Sequence, residues 1–357
     1  MAATETTIDE TGLQEFMGRF VGDLGAALHA TTVIIGDKLG LYTAMGDAQW
    51  LTPADLAQRT GTDERYVREW LCAQAASGYA EYAPGTGCFR LTPEQAACLA
   101  DRESPTYLPG ALYIAASTIK DEPKLTERFR SGAGLGWHEH DGDLFCGTEL
   151  FFRAGYVANL VASWLPALEN AEEKLRAGAS VADIGCGHGA STIVMAKAYP
   201  HSRFVGFDYH EASIEAARRA AERAGVSDRV RFEVATAKDF PGDGYDLVCV
   251  FDALPDMGDP VGAARHVHEA LAPDGSWLIV EPMAGDRVED NLNPVGRVFY
   301  SASTTICTPA SRSQEVGLGL GAQAGEARLR AVVEEAGFAR LRRATETPFN
   351  LILEAHP

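Results

Sequence analysis

The stretch VADIGCGHGAST, residues 181–192, determines the fold more clearly than any other part of the sequence. An apolar run that contains Asp183 near its end predicts a buried strand, and a helix pattern follows the glycines. Gly185, Gly187 and Gly189 let the backbone turn tightly and approach a ligand closely. The start of the following helix offers free N–H groups. Such a loop alone is compatible with a bound nucleotide or with no ligand.

A second acidic residue narrows the interpretation. Asp208 ends the next predicted strand, in FVGFDY at residues 204–209, where a carboxylate can accept hydrogen bonds from both hydroxyls of a ribose. The glycine spacing is GxGxG after an acid rather than GxGxxG. The alternative is a bare strand–helix turn with a solvated aspartate. The loop, the second acid and the topology together favour a ligand that contains a ribose.

Strand and helix patterns alternate regularly from this loop onward. The predicted strands are continuous apolar runs, which is typical of a parallel sheet covered on both faces, at residues 180–186, 203–208, 230–235, 245–251 and 276–281. The predicted helices cover residues 190–199, 211–224, 260–271 and 326–336. Two last strands, within residues 339–346 and 349–356, are joined by a tight turn. The sequence therefore predicts an α/β fold with a seven-stranded sheet that ends in an antiparallel hairpin.

With these features, the segment from about residue 180 to 357 resembles the class I S-adenosylmethionine (SAM)-dependent methyltransferases, which have a Rossmann-like sheet. The resemblance implies that SAM is the cofactor, that the glycine loop contacts its methionine and ribose parts, and that Asp208 holds the ribose hydroxyls. It also places Tyr209 near the adenine and Asp183 near the amino-acid end. The implied cofactor-binding residues are Asp183, Gly185, Cys186, Gly187, Gly189, Asp208, Tyr209, Thr236, Ala237, Phe251 and Asp252.

One position departs from the family pattern. Members often carry Gly-Asp after the third strand, with the aspartate on the adenine amine, whereas this chain has Ala-Thr-Ala-Lys at residues 235–238. Thr236 can still give a weaker hydrogen bond, or it is a polar strand end in solvent.

The first third of the chain has a helical pattern followed by a small predicted hairpin at residues 85–94. Thr52 is a predicted N-cap, and either Thr62 or Asp63 is another. This order of elements is that of a winged helix. A winged helix before such a catalytic domain resembles the plant and bacterial small-molecule O-methyltransferases, in which it forms a homodimer. The predicted division is a winged-helix dimerisation domain at 1–100, a helical linker and active-site loop region at 101–178, and a SAM-binding domain at 179–357.

Charge and composition exclude several classes of partner. The formal net charge of −19 disfavours nucleic acid and anionic lipid surfaces. In the candidate recognition helix, residues 62–76, two arginines are balanced by three acids, so the basic face that a DNA reader needs is missing. The acidic start lacks the basic and apolar segments of a signal peptide, so none is predicted. No apolar run is long enough to span a membrane. Seven scattered cysteines without CxxC spacing favour a reducing cytoplasm.

The position of the catalytic base is unusual. The related O-methyltransferases carry Leu-His-Asp-Trp-x-Asp after the fourth strand, and their histidine takes a proton from the substrate hydroxyl. Here LPDMGD, residues 254–259, matches in register, and Pro255 stands at the histidine position without a proton acceptor. The base lies elsewhere, or the substrate needs none, or the chain binds SAM without methylating.

The best candidates for a base elsewhere are His138 and His140 in GWHEHDGD, because histidine is readily tuned for proton transfer near neutral pH. The same loop could also be a polar surface loop, or chelate a metal; no metal is predicted for the site. The insertion at residues 285–326 is too long for a connection within the sheet. Together with the segment at 151–156 it predicts an apolar, aromatic-lined pocket for a small molecule. The predicted substrate-binding residues are Phe152, Tyr156, Phe299 and Tyr300.

The sequence thus favours a SAM-dependent methyltransferase that acts on a small, apolar or aromatic molecule. The alternative is a SAM-binding regulator or a catalytically silent relative, which the winged helix and Pro255 suggest.

Overall fold

The computed structural model describes residues 8–357, and the chain divides into two compact units, one ending at Ala116 and one spanning Ser117–Pro357. Residues 1–7, which belong to the acidic start, lie outside the described residues. The predicted division at residues 100 and 178 is finer than these two units and stays a prediction. Among the described helices, none combines the length and the apolar character that crossing a membrane requires.

The first unit is mainly helical. Its helices are α1 (Glu10–Lys38), α2 (Leu41–Ala44), α3 (Pro53–Thr60), α4 (Glu64–Ala76), α5 (Pro93–Leu99) and α6 (Gly110–Lys120), the last of which crosses the unit boundary. Between α4 and α5, two antiparallel strands form a hairpin, β1 (Glu81–Ala83) and β2 (Cys88–Arg90). The hairpin begins earlier than the sequence predicts, but the order of elements is the predicted winged helix.

Both predicted N-caps of the winged helix are confirmed. The Asp55 N–H donates to the Thr52 hydroxyl at 3.2 Å, and the Thr52 N–H donates back to the Asp55 carboxylate at 2.9 Å, so α3 begins with a capping box. Asp63, and not Thr62, caps α4 by accepting hydrogen bonds from the backbone N–H groups of Arg65 and Tyr66. These bonds satisfy N–H groups that otherwise have no partner in a helix.

The candidate recognition helix α4 is a packing element. Its Val67, Trp70 and Leu71 are buried in the core of the unit. Gln74, also buried, accepts a hydrogen bond from the Tyr42 hydroxyl at 2.6 Å. One side of α4 is therefore committed to holding α1 and α2.

The second unit alternates helices and strands. Its helices are α7 (Glu122–Ser131), α8 (Asp143–Asn159), α9 (Ala171–Ala177), α10 (Ala190–Ala198), α11 (Glu211–Ala224), α12 (Pro260–Ala270), α13 (Pro294–Ala302), α14 (Thr308–Arg312) and α15 (Gly325–Glu335). Its strands are β3 (Ser180–Ile184), β4 (Arg203–Asp208), β5 (Val230–Val234), β6 (Tyr245–Phe251), β7 (Leu271–Pro282), β8 (Arg340–Glu346) and β9 (Asn350–His356).

These seven strands form one sheet in the order β5-β4-β3-β6-β7-β9-β8. The strands from β5 to β7 are parallel, and β9 and β8 are antiparallel additions. Apolar clusters cover both faces, one around Trp164 and the other around Trp277. The predicted α/β fold with its C-terminal antiparallel hairpin is therefore confirmed, and burial on both faces explains the continuous apolar runs.

The segment before β3 differs from the single long helix that the apolar pattern predicts over residues 147–178. The helix α8 ends at Asn159, a wide π turn and a 3-10 turn follow, and α9 begins only at Ala171. Pro166 lies in the 3-10 turn, and Asn170 adopts a positive φ of 59°, which interrupts the helical path.

Gly206 provides a test of how tightly the sheet packs below the glycine loop. A Cβ atom at this position would lie 2.5 Å from the Phe232 ring and 2.8 Å from the Cys186 sulfur. Because both neighbours are buried, we expect Gly206→Ala to lower the free energy of unfolding by about 1–3 kcal/mol. The matched control is Gly155→Ala in α8, where a Cβ meets nothing within 4 Å and helix propensity predicts a gain of about 0.5–1 kcal/mol. Chemical denaturation followed by circular dichroism measures both, and equal stability of the two variants would contradict the packing.

Candidate functional site

A cavity of about 400 Å³ opens at the carboxyl ends of the parallel strands. Gly185 follows β3, Asp208 ends β4 and Phe251 ends β6, and all three line the cavity. The pairing of β3 with both β4 and β6 brings these strand ends together. Ligands of open α/β sheets bind at this edge.

Most of the site residues predicted from the sequence line this cavity. They are His138, Phe152, Tyr156, Gly185, Cys186, Gly187, Asp208, Tyr209, Thr236, Ala237, Phe251 and Asp252. Five predicted residues are not part of the lining: Asp183, Gly189, His140, Phe299 and Tyr300. The binding and catalytic roles of both groups stay predictions.

Asp183 lies behind the glycine loop. Its carboxylate accepts hydrogen bonds of 2.6 Å from the hydroxyls of Ser191 and Thr192, at the start of α10. Burial raises the pKa of Asp183 to about 6, although these two hydroxyls lower it. Asp183 therefore ties the end of β3 to the helix that follows the loop. Packing also requires glycine at position 189, because a Cβ there would lie 2.4 Å from the Phe232 ring.

Asp208 holds the glycine loop from the neighbouring strand. Its carboxylate accepts hydrogen bonds from the backbone N–H groups of Gly187 at 3.0 Å and His210 at 2.8 Å. Burial raises the pKa of Asp208, and these two hydrogen bonds lower it. The carboxylate is thus fixed at the cavity wall by backbone donors, in an orientation that the loop itself determines.

Three acidic side chains, Asp252, Asp256 and Glu281, lie around the turn that follows β6. Asp252 has a positive φ of 51°, and its carboxyl lies 3.3 Å from the Asn350 side-chain nitrogen. The Leu254 N–H donates to the buried Glu281 carboxyl at 3.1 Å, which fixes this turn. Burial raises the pKa values of Asp252, Asp256 and Glu281, and mutual repulsion adds to the increase at Asp252 and Glu281.

Comparisons with known proteins decide the class of this site. Residues 175–333 match the family described as "Methyltransferase domain". Residues 175–333 are a methyltransferase domain. Its cofactor is S-adenosylmethionine. Residues 26–101 match the "Rv2258c-like winged HTH domain", in agreement with the fold of the first unit.

Curated proteins of similar sequence include methyltransferases. Over 131 residues the chain is 34% identical to the 27-O-demethylrifamycin SV methyltransferase of Amycolatopsis mediterranei, which covers 34% of this chain and 48% of that protein. The chain spans about half or less of the length of the curated relatives it matches.

Two solved structures superpose on almost the whole chain. An O-methyltransferase family protein from Burkholderia thailandensis has a TM-score of 0.66 at 20% identity and covers 98% of this chain and 99% of its own. Human N-acetylserotonin methyltransferase in complex with SAM has a TM-score of 0.71 at 16% identity and covers 99% of both chains. At these identities the similarity shows a shared fold.

Thr236 lies at the end of the cavity at which the adenine is predicted, and its contact with the adenine stays a prediction. Its hydroxyl donates to the Asp239 carboxylate at 2.7 Å, and its backbone N–H donates to the same oxygen at 2.9 Å. The hydroxyl is thus committed to a local turn, in which it also accepts a hydrogen bond from the Lys238 N–H at 3.3 Å. Thr236 and the neighbouring Ala237 line the cavity. Tyr209 lies at the rim, 44% exposed.

The two candidate bases lie in different environments. His138 is exposed and lines the cavity. The His140 side chain is fully buried, with Nδ1 2.9 Å from an Asp121 carboxylate oxygen, and burial lowers its pKa. Of the two predicted bases, only His138 can therefore meet a ligand in this cavity. No three metal-ligating side chains converge anywhere in residues 8–357.

The predicted aromatic residues of the insertion also lie outside the cavity lining. Phe299 on α13 is buried and Tyr300 is half-buried. The residues of the insertion that do line the cavity are Ser313 and Gln314. No local pattern marks these two, because polar residues in a long insertion are usually solvated.

The lining contains further residues that the sequence did not identify as site residues. They are Trp137, Phe145, Thr148, Glu149, His188, Ala190, Ser191, His210, Ser213, Ala235, Ala253, Asp256, Met257, Ser313 and Gln314. Several of them directly adjoin the predicted motifs, so extending each motif by one position would have found them.

Asp208 provides a direct test of the predicted cofactor site. We expect Asp208→Ala to weaken SAM binding more than tenfold, or by at least about 1.4 kcal/mol, because a carboxylate at the ribose position and the anchor of the Gly187 N–H are both lost. Isothermal titration calorimetry measures the affinity. The control is Asp243→Ala, an exposed aspartate outside the cavity lining. Equal affinity of the two folded variants would contradict the role of Asp208.

Proposed function

We propose that this protein transfers the methyl group of SAM to a small, largely apolar or aromatic molecule. The supporting observation is that one cavity is lined by the glycine loop and Asp208 as well as by Phe145, Phe152 and Tyr156. Phe152 and Tyr156 stack with their ring centroids 6.3 Å apart. The ring centroid of Tyr156 also lies 5.2 Å from that of Phe251, at the end of β6. An apolar acceptor on these rings would therefore lie beside the cofactor end of the strands.

Positioning supplies most of the catalysis in this proposal. When bound, SAM supplies an electrophilic methyl group on a positively charged sulfur. The glycine loop and Asp208 fix the donor side, and the aromatic side chains orient the acceptor and exclude water. Holding two reactants in line lowers the barrier by removing the entropy of their encounter.

The alternative function is a SAM-binding regulator or a catalytically silent relative, and Pro255 is the observation that favours it. The winged helix gives it little support. Arg65 pairs with Glu69 and Arg68 pairs with Glu64, so the arginines of α4 are already neutralised. A DNA reader needs an unpaired basic face.

Product formation separates the two functions. The protein is incubated with methyl-labelled SAM and a panel of naphthols, phenols and aromatic amines, and methylated products are detected by mass spectrometry. The proposal predicts product from at least one compound, and less product with Asp208→Ala when SAM is kept below saturation. SAM-dependent binding to duplex DNA without any product would favour the regulator instead.

We further propose that the protein is a homodimer, assembled through its first unit, in the cytoplasm. The helix α1 exposes a row of apolar side chains at helical spacing: Leu13, Phe16, Met17, Phe20, Val21, Leu24 and Leu28. Phe16 is 64% exposed and Phe20 is 60% exposed. A contiguous apolar row of this length is unusual on a monomer and marks a protein interface. The scattered free cysteines agree with a reducing compartment.

Light scattering tests the dimer. We expect a mass about twice the 38.2 kDa of the chain at micromolar concentration, and a shift toward the monomer in the Phe16→Ser, Phe20→Ser double variant, because two large apolar contacts are removed. The control is Tyr66→Ser, since Tyr66 on α4 is 81% exposed and lies outside this row. A wild-type monomer would contradict the proposal.

A further inference from the structure

The turn that contains Pro255 places a carboxylate, and not only a proline, at the cavity. Residues Leu254–Asp256 form a single 3-10 turn directly after β6, and Asp256 lines the cavity. The Trp137 indole N–H, also in the lining, donates to Asp256 Oδ2 at 2.9 Å. Oδ1 of the same carboxyl is buried, and within residues 8–357 no N–H or O–H donor reaches it.

The other carboxylates that line the cavity are held differently. Asp208 accepts backbone hydrogen bonds through both oxygens. Glu149 pairs with Arg153 at 3.2 Å. Asp252 has one buried oxygen without a partner, as Asp256 does, and burial and then the neighbouring Asp256 raise its pKa well above its ordinary value. Asp256 differs from Asp252 in that a residue of the lining, Trp137, orients its carboxyl.

We propose, on the basis of the methyltransferase function above, that the acceptor is a hydroxyl compound and that Asp256 accepts its proton. The hydroxyl oxygen forms a bond to the methyl carbon while the carbon–sulfur bond breaks, and the electron pair of that bond stays on sulfur as a neutral thioether. The hydroxyl proton moves to the Asp256 carboxylate. One carboxylate and one sulfonium ion thereby give one carboxylic acid and one thioether, so the charges balance.

The surroundings of Asp256 fit this role. The Trp137 indole N–H donates to Oδ2 and so fixes the orientation of the carboxylate at the cavity, while Oδ1 has no hydrogen-bond donor among residues 8–357. Burial raises the pKa of Asp256 to about 6, although the Cys307 thiol and the Trp137 indole lower it. A base with a pKa near the working pH transfers protons most efficiently. Three histidines also line the cavity, His138, His188 and His210, and His138 is exposed.

The expected pH dependence follows from the sign of this shift. Below about pH 6 Asp256 is protonated and cannot accept a proton, so the rate rises as the pH rises through about 6. Other titratable groups near Asp256 are Asp252, Glu281, Cys307 and Tyr209, and burial raises the pKa of each. Cys307 and Tyr209 stay neutral near pH 6, because burial raises pKa values that ordinarily already lie well above 6.

The first measurement reads the ionisation of Asp256 without any substrate. Because Trp137 donates to Asp256, tryptophan emission should change with a midpoint near pH 6. We expect this change to disappear in Asp256→Asn and in Trp137→Phe, and to remain in Asp243→Asn, the exposed control. A flat emission between pH 5 and 7 in the wild type would overturn the proposal, because Asp256 would then not change its charge where a base must.

The second measurement reads the proton transfer, with 1-naphthol and 4-nitrophenol as hydroxyl probes. With 1-naphthol, Asp256→Asn should lose about 10²–10⁴-fold in turnover and also lose the rise near pH 6. With 4-nitrophenol at mildly alkaline pH, where the probe is already ionised, the variant and the wild type should react at similar rates. Equal losses with both probes would assign Asp256 a merely structural role and overturn the proposal.

Affinity for S-adenosylhomocysteine separates this inference from the proposed function. Calorimetry should give the same affinity for Asp256→Asn and the wild type. Methylation of amines but of no hydroxyl would overturn the role of Asp256 and leave the methyltransferase function intact. Failure of the wild type to bind S-adenosylhomocysteine would instead contradict the proposed function.

Discussion

Three backbone N–H groups hold the glycine loop against the end of the neighbouring strand, and the rest of the site depends on them. Gly185 and Cys186 donate to the Phe207 carbonyl at 2.8 and 3.0 Å, and Gly187 donates to the Asp208 carboxylate at 3.0 Å. These bonds are made only because β3 and β4 pair in parallel and end at the same edge. Asp183 completes the arrangement from behind by fixing the first turn of α10.

The cavity that results is acidic. Asp208, Asp252 and Asp256 line it, and none of the described lining residues is a lysine or an arginine. Such a cavity suits a ligand with a positive charge, and SAM carries one on its sulfur. Loss of that charge during methyl transfer would weaken the attraction and favour release of the product.

The sequence predicts the sheet and the glycine loop well because both depend on local patterns. Buried parallel strands must be apolar throughout, and a tight loop against a ligand must contain glycine at positive φ, as Gly185, Gly187 and Gly189 do. The break after Asn159 was not predicted, because an apolar helix pattern continues through it. The cavity-facing residues were predicted where they belong to a motif, and several that only adjoin one were missed. Phe299 and Tyr300 lie elsewhere because in a long insertion the apolar residues are buried in the unit's own packing. The separate environments of His138 and His140 depend on the distant Asp121, which no local pattern reveals.

A crystal structure with S-adenosylhomocysteine bound would show directly whether the edge at which β3 and β4 end holds the cofactor. We expect the ribose hydroxyls to lie within hydrogen-bond distance of the Asp208 carboxylate and the sulfur to point toward Phe152, Tyr156 and Asp256. Adenosine bound away from the glycine loop, or a sulfur that faces solvent, would contradict it.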